Sequence, residues 1–186
     1  MPLLLTGPEA EPLTLADLKA FLRVTHDEED IVLSTLLTAA RQMVESAASR
    51  ILLTQTWRVA RDGWPPSGLI LAPLAPVAEI PAARLRHQDG SETALPLDLF
   101  TLRGDRTPAV IAFDRARAPA PSRTLGGIEL DLVLGYGAAA DVPADLVQAV
   151  RLLAGHLYER RDEAGEAGLL SEGVAALLKP YRTVRL

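Results

Sequence analysis

Apolar residues near the start of the chain recur at helical spacing. Thr14 and Asp17 stand three residues apart, as in a helix start, and predict a short helix from Thr14 to Leu22. An acidic run at 27–30 follows. Beyond it a second helix is predicted over residues 27–49, because one of its faces collects Leu33, Leu36, Leu37, Ala40, Val44 and Ala47. Carboxylates suit the positive end of a helix dipole. We therefore interpret the acidic run as a helix start rather than a metal site, since ligands at calcium-loop spacing are missing.

From residue 54 the pattern changes to the alternation of β-strands. Residues 55–61 alternate and contain Thr, Trp and Val, which suit a half-buried pleated surface. A hairpin is predicted in which residues 84–87 return as 92–95 across an Asp-Gly turn. Other short strands, separated by glycine and proline, are predicted at 69–71, 77–80, 99–102, 109–113 and 128–134. This part of the chain is predicted to be a small antiparallel β subdomain.

Helical periodicity returns after the β subdomain. Pro143 lies near the first turn of a helix predicted to run from Asp145 to about Arg161. A glycine-containing acidic loop at 162–168 separates it from a short helix that starts near Ser171 and ends before Pro180. The predicted fold class is α+β, a helical bundle with an inserted antiparallel β subdomain. Its parts form one structural unit divided as 1–53, 54–138, 139–178 and a C-terminal arm at 179–186.

Composition narrows the possible functions. Hydrophobic residues make up 48% of the 186 residues and charged residues 23%, as in ordinary globular proteins. There is no cysteine, which excludes disulfides and thiolate metal sites. A net charge of -5 disfavours wrapping of nucleic acid, because phosphate binding needs clustered positive charge. Neither a signal peptide nor an apolar run of membrane-spanning length is present, so we expect a soluble protein without membrane contact.

The residues offer little catalytic chemistry. The histidines His26, His87 and His156 show no spacing typical of a zinc site, and no glycine-rich phosphate loop is present. We therefore predict no enzyme activity, no metal and no cofactor. Two alternatives stay open at this point. One is a small hydrolase that uses His156, Glu159 and nearby carboxylates. The other is a generic oligomeric binding module.

The C-terminal tail differs from the rest of the chain. It is basic, lacks acidic side chains and lies beyond the last predicted core helix. One interpretation is a docking arm that inserts into a neighbouring protein, and the other is an unstructured chain end. The residues of this candidate arm are Lys179, Pro180, Tyr181, Arg182, Thr183, Val184, Arg185 and Leu186.

Four segments in this order resemble a known family. They are PLTLADLKAFLRV at 12–24 with the acidic run and long alanine-rich helix after it, TQTWR at 54–58, GHLYERR at 155–161 and LLKPYR at 177–182. Together they resemble the head-tail connector, or adaptor, proteins of tailed bacteriophages, prophages and gene transfer agents. The β subdomain departs from the smallest adaptors, which are almost wholly helical.

The resemblance implies a structural role. Such proteins form a ring, commonly of twelve subunits, below the portal at the DNA-exit vertex, and extend the channel for double-stranded DNA toward the stopper and tail. It implies assembly in the bacterial cytoplasm and a place in the neck of a phage or phage-like particle. Portal contact would fall on residues 179–186. The late helix would support the ring through Leu146, Val150, Leu153, His156, Leu157 and Arg160.

Overall fold

A computed structural model describes residues 2–104, 108–160 and 171–181. The chain folds as two compact units. The first combines Met1–Pro8 with Thr54–Gly135, and the second combines Glu9–Leu53 with Tyr136–Leu186. The first unit holds β-sheets and the second holds the longer helices, so the α+β prediction is confirmed.

The helical unit contains four α-helices in its described part. They are α1 (Leu15–Leu22), α2 (Asp30–Ala48), α3 (Ala144–Glu159) and α4 (Glu172–Leu178). The predicted start of α1 is confirmed, because Thr14 Oγ1 accepts from Asp17 N at 3.0 Å and Asp17 Oδ2 accepts from Thr14 N at 3.2 Å. This reciprocal capping box satisfies backbone groups that a helix start otherwise leaves unpaired.

The core of this unit lies where α3 packs against the other helices. Gly155 is buried on α3, and a Cβ atom there would come within 3.1 Å of the Phe21 ring of α1. The missing side chain therefore lets α1 approach α3 closely. The buried core comprises Leu13, Leu18, Leu33, Leu37, Ala40, Val44, Ala48, Leu52, Leu53, Val142, Leu146, Ala149, Val150, Leu153, Ala154, Val174 and Leu178.

Two antiparallel sheets make up the described part of the other unit. Its strands are β1 (Leu3–Thr6), β2 (Gln55–Arg61), β3 (Leu69–Leu71), β4 (Val77–Arg86), β5 (Glu92–Ala94), β6 (Phe100–Arg103), β7 (Val110–Phe113) and β8 (Ile128–Leu134). The larger sheet has the order β1-β2-β8-β4-β5, and the smaller one β3-β7-β6. Residues Ile128, Leu130, Leu132 and Leu134 of β8 are buried, as expected for the central strand of a sheet.

The β predictions need two corrections. The strands predicted at 77–80 and 84–87 are one strand, β4, because register shifts in its pairing with β8 accommodate Pro81 inside it. Strand β1 escaped prediction, since three consecutive leucines show no alternation. The hairpin prediction is confirmed, with Arg84 opposite Ala94 and Arg86 opposite Glu92.

The helix bounds also differ from those predicted. Helix α2 starts at Asp30, after an N-cap at Glu29, rather than at residue 27. Helix α3 ends at Glu159 rather than near Arg161. Among the helices of residues 2–104, 108–160 and 171–181, none combines the length and apolar character needed to span a bilayer.

Candidate assembly surfaces

The predicted ring-supporting residues of α3 lie at different depths. Leu146, Val150 and Leu153 are fully buried in the core of their own helical unit. His156 and Leu157 are half-buried, and Arg160 is exposed just beyond the helix end. The three core residues therefore act on the bundle's interior, and any contact that they support outside it is indirect.

The geometry around His156 does not support the hydrolase alternative. Within the described ranges, neither a hydrogen bond nor an ion pair joins the His156 side chain to Glu159, although both lie near the end of α3. Across the same residues, no group of three or more histidine, aspartate or glutamate side chains is placed to hold a metal ion. The arrangement supplies neither an oriented base nor a nucleophile beside it.

The acidic run at 27–30 does more than begin a helix. Lys19 Nζ lies 2.5 Å from Asp27 Oδ1 and 2.7 Å from Asp30 Oδ1, so one lysine of α1 holds both ends of the turn into α2. The hydrogen bond from Lys19 lowers the pKa of Asp27, and the two carboxylates raise the pKa of Lys19. The Tyr158 hydroxyl of α3 donates a hydrogen bond to the Glu29 carboxylate. The run thus ties α1 and α3 to the start of α2.

A second polar cluster fastens the chain before α1 to the middle of α2. Arg41 Nε lies 2.7 Å from Glu11 Oε2, and Arg41 Nη1 lies 2.9 Å from Glu45 Oε2. Glu45 Oε1 also accepts from the Leu52 backbone N–H at 2.9 Å. Both charged side chains of α2 beyond its first residue are therefore turned inward, which their positions alone did not reveal.

The root of the C-terminal arm is folded onto its own subunit. Lys179–Tyr181 form a 3₁₀ turn after α4, in which Lys179 and Pro180 are exposed. The Tyr181 ring packs against the helical core, and its hydroxyl donates to Asp145 at 2.8 Å. Burial, together with this carboxylate, raises the pKa of Tyr181 to about 12. Residues 182–186, the remainder of the predicted arm, lie outside the described residues.

An ionic ladder crosses one face of the larger sheet. Asp131 of β8 lies between Arg58 of β2, with Oδ1 2.7 Å from Nε, and Arg84 of β4, with Oδ2 2.5 Å from Nη2. Glu129 extends the ladder to Arg86 at 3.2 Å. Burial alone would raise the pKa of Asp131, but its hydrogen bonds from the two arginines outweigh burial and lower it. The ladder pins the register of the three central strands.

Comparison with known proteins places the chain in a family. A family model described as "Phage gp6-like head-tail connector protein" matches residues 12–84. A chain from the neck of an empty gene transfer agent (GTA) particle, computed with C6 symmetry, is 32% identical, with a TM-score of 0.85 over 100% of this chain and 97% of that one. The chain belongs to the head-tail connector family. A comparison with curated proteins gave no match.

Two further structures are similar to this connector over its full length. One is from the virion of a native GTA particle, with 32% identity and a TM-score of 0.84. The other is from the neck of a native GTA particle computed with C12 symmetry, with 30% identity and a TM-score of 0.75. Each comparison covers 100% of this chain and 97% of the other. The connector is therefore a structural protein and not an enzyme, so the hydrolase alternative is wrong.

Proposed function

We propose that this connector is one subunit of a closed ring of twelve that lies below the portal in the neck of a phage or GTA particle. The observation that carries the proposal is the full-length similarity to a GTA neck chain, at 32% identity. The twelvefold count follows the C12 symmetry with which one similar neck was computed. A ring closes when one surface of a subunit meets a different surface of the next through a constant rotation.

The C-terminal arm, residues 179–186, is proposed to bind the portal protein. Tyr181 supports this assignment because its bond to Asp145 holds the root of the arm at a defined place on the subunit. The following sequence, Arg182-Thr183-Val184-Arg185-Leu186, contains two basic and two apolar side chains and no acid. A segment of this kind binds a partner groove through its apolar residues and through ion pairs.

The ring extends the channel through which double-stranded DNA passes, and it joins the capsid vertex to the stopper or tail-completion protein. Charge supports passage without sequence-specific binding, since the chain carries 24 acidic against 19 basic side chains. Tight DNA binding requires neutralisation of several phosphates by clustered lysine and arginine. Assembly of the ring takes place in the bacterial cytoplasm, where phage heads are built.

The test is removal of residues 182–186, which leaves the Tyr181 to Asp145 bond in place. The truncated connector and the full chain are each produced with portal-bearing heads, and head-bound connector is quantified after sedimentation. We expect the truncation to abolish binding to heads while the unfolding midpoint of the free protein stays unchanged. A longer deletion from residue 179 is a weaker test, because it also removes Tyr181 from the core.

Substitution of Arg182 and Arg185 by alanine provides the companion variant, since it keeps chain length and apolar residues. Its binding should fall between that of the full chain and the truncation. Full binding of heads by the truncated connector would rule out the arm, and absence of the full chain from heads would rule out the connector role itself.

A further inference from the structure

The solvent-facing side of α2 lacks charge over its whole length after the first residue. Its only charged side chains beyond Asp30 are Arg41 and Glu45, whose side chains are 6% and 7% exposed. Residues three or four positions apart lie on the same face of a helix. On the outer face of α2 they form a stripe, here called the outer stripe, of Ile31, Thr35, Ala39, Gln42 and Ser46. An exposed helix face normally carries charged residues, so five turns without one require a reason.

Two hydroxyl groups near the start of this side of α2 donate to the backbone of the helix itself. Ser34 Oγ donates to Asp30 O at 2.8 Å, and Thr35 Oγ1 donates to Ile31 O at 2.9 Å. The Thr38 hydroxyl differs, since it lies 2.9 Å from Glu11 Oε1, outside the helix, as well as 3.1 Å from Ser34 O. The Ser34 and Thr35 hydroxyls can be covered by another protein without an unpaired donor, because their hydrogen bonds stay inside the helix.

Large apolar side chains lie at the N-terminal end of the same side. Ile31 is 84% exposed and Val32 is 40% exposed. The buried centres of protein interfaces are depleted in charged residues, whereas isolated exposed apolar residues on a charged surface need no partner. Here the exposed isoleucine is the first residue of the uncharged stripe, which extends from it toward the C-terminal end of α2 and is suited to a protein contact.

The net charge of the chain indicates which partner fits this surface. The chain has a net charge of -5, so two copies repel each other wherever their acidic surfaces meet. An uncharged face is where copies can touch without opposing like charges. It offers no positive charge to DNA phosphates, and no charge with which to attract a differently charged protein.

We propose that the outer stripe of α2 packs against the next copy of this chain in the ring. The proposal rests on the proposed ring and names one of its contact surfaces, which α3 cannot supply through its buried leucines. The contact is heterologous, because an α2 stripe packed on an identical stripe would give a twofold dimer instead of a ring.

A photoreactive amino acid placed at Gln42 tests the proposal in portal-bearing heads assembled with the connector. Gln42 is exposed in the stripe, and Gln88, exposed at the tip of the β4–β5 hairpin, is the matched control. After irradiation we expect adducts of connector with connector, in steps of the 19.9 kDa chain, from Gln42 and not from Gln88. Adducts to another protein, equal yields at both sites, or connector in heads without self-adducts would each overturn the proposal.

Charge insertion provides the second readout. Gln42→Glu and Gln42→Lys should each reduce the number of connector copies per head by at least about tenfold, because either charge would be buried without a partner. The same changes at Gln88 should leave the copy number unaffected, and all four proteins should keep the wild-type unfolding midpoint. Normal copy numbers for both Gln42 variants would refute the α2 contact while leaving portal binding intact. A wild-type connector absent from heads would refute the ring and this contact together.

Discussion

The Tyr181 hydroxyl lies 2.8 Å from Asp145 Oδ1 and 2.9 Å from Asp145 Oδ2. This bond joins the last described turn of the chain to the first turn of α3, 36 residues earlier. It places Tyr181, the last described residue and part of the root of the proposed arm, at a definite point on the helical unit. The arm therefore starts from a fixed root.

Tyr181→Phe should lower the free energy of unfolding by about 1 kcal/mol, since it removes one hydrogen bond and keeps the packed ring. Asp145 retains its bond from the Leu146 backbone N–H, which limits the loss. Urea denaturation measures the change, and Tyr158→Phe, which removes the bond to Glu29, is the matched control for the loss of a tyrosine hydroxyl. A Tyr181→Phe protein as stable as wild type would show that the bond does not hold the arm's root.

Alkaline pH should release the same contact. The pKa of Tyr181 is raised from 10.0 to about 12, so its hydroxyl stays protonated longer in the folded protein than in the unfolded one. The stability that this shift contributes is fully present below pH 10 and is lost as the pH rises through about 12. Tyrosinate absorbance should show a late-titrating tyrosine that is missing in Tyr181→Phe. Identical titration curves for the two proteins would contradict the shift.

Asp131→Asn should destabilise the sheet by about 3 kcal/mol, because Arg58 and Arg84 would each lose their shortest ion pair and keep only longer ones, such as those to Glu129. Asp98→Asn, which breaks an exposed pair with Arg117, is the control and should cost less than about 1 kcal/mol. Thermal and urea unfolding measure both. Equal losses for the two variants would mean that burial of the ladder adds nothing.

Acid should weaken the ionic ladder by protonating Asp131. The pKa of Asp131 is lowered from 3.8 in the folded protein, so its contribution to stability is present above about 3.8 and is lost as the pH falls through the lower, folded value. Unfolding free energy measured against pH should therefore decline less in Asp131→Asn than in wild type over this acidic range. If the unfolding free energy fell equally with pH in both proteins, Asp131 would not contribute to the acid dependence of stability.

Leu153→Ala should reduce stability by about 3 kcal/mol, because it leaves a cavity at a fully buried position of α3. Leu157→Ala makes the same chemical change at a half-buried position one turn later and should cost about 1 kcal/mol. Chemical denaturation compares the two. Losses of equal size would indicate that Leu157 is covered as fully as Leu153.

Much of the fold could be predicted from local patterns. The Thr14 and Asp17 pair specified a helix start because its hydrogen bonds form within one turn. Periodicity located α2 and α3, and alternation with turn residues located β2, β8 and the β4–β5 hairpin. Strand β1 was missed because its leucines carry no alternation, and β4 was split at Pro81 because the register shift that accommodates proline depends on the partner strand.

Surfaces were less predictable than elements. The acidic residues before α2 were interpreted as a helix start, yet Lys19 and Tyr158 from two other helices bind them. Arg41 and Glu45 are likewise turned inward, because Arg41 pairs with Glu11 from the chain before α1 and with Glu45 on its own helix. Whether a charged side chain faces solvent depends on partners distant in the chain, which local spacing does not encode.

Residue identity and short-range order were enough to predict the type of most helices and strands, the lack of thiol chemistry and the likeness to head-tail connectors. The bond between Tyr181 and Asp145 and the uncharged side of α2 became visible only in the folded chain. Burial and ion pairing arise between residues tens of positions apart, so they exist only once the chain has packed.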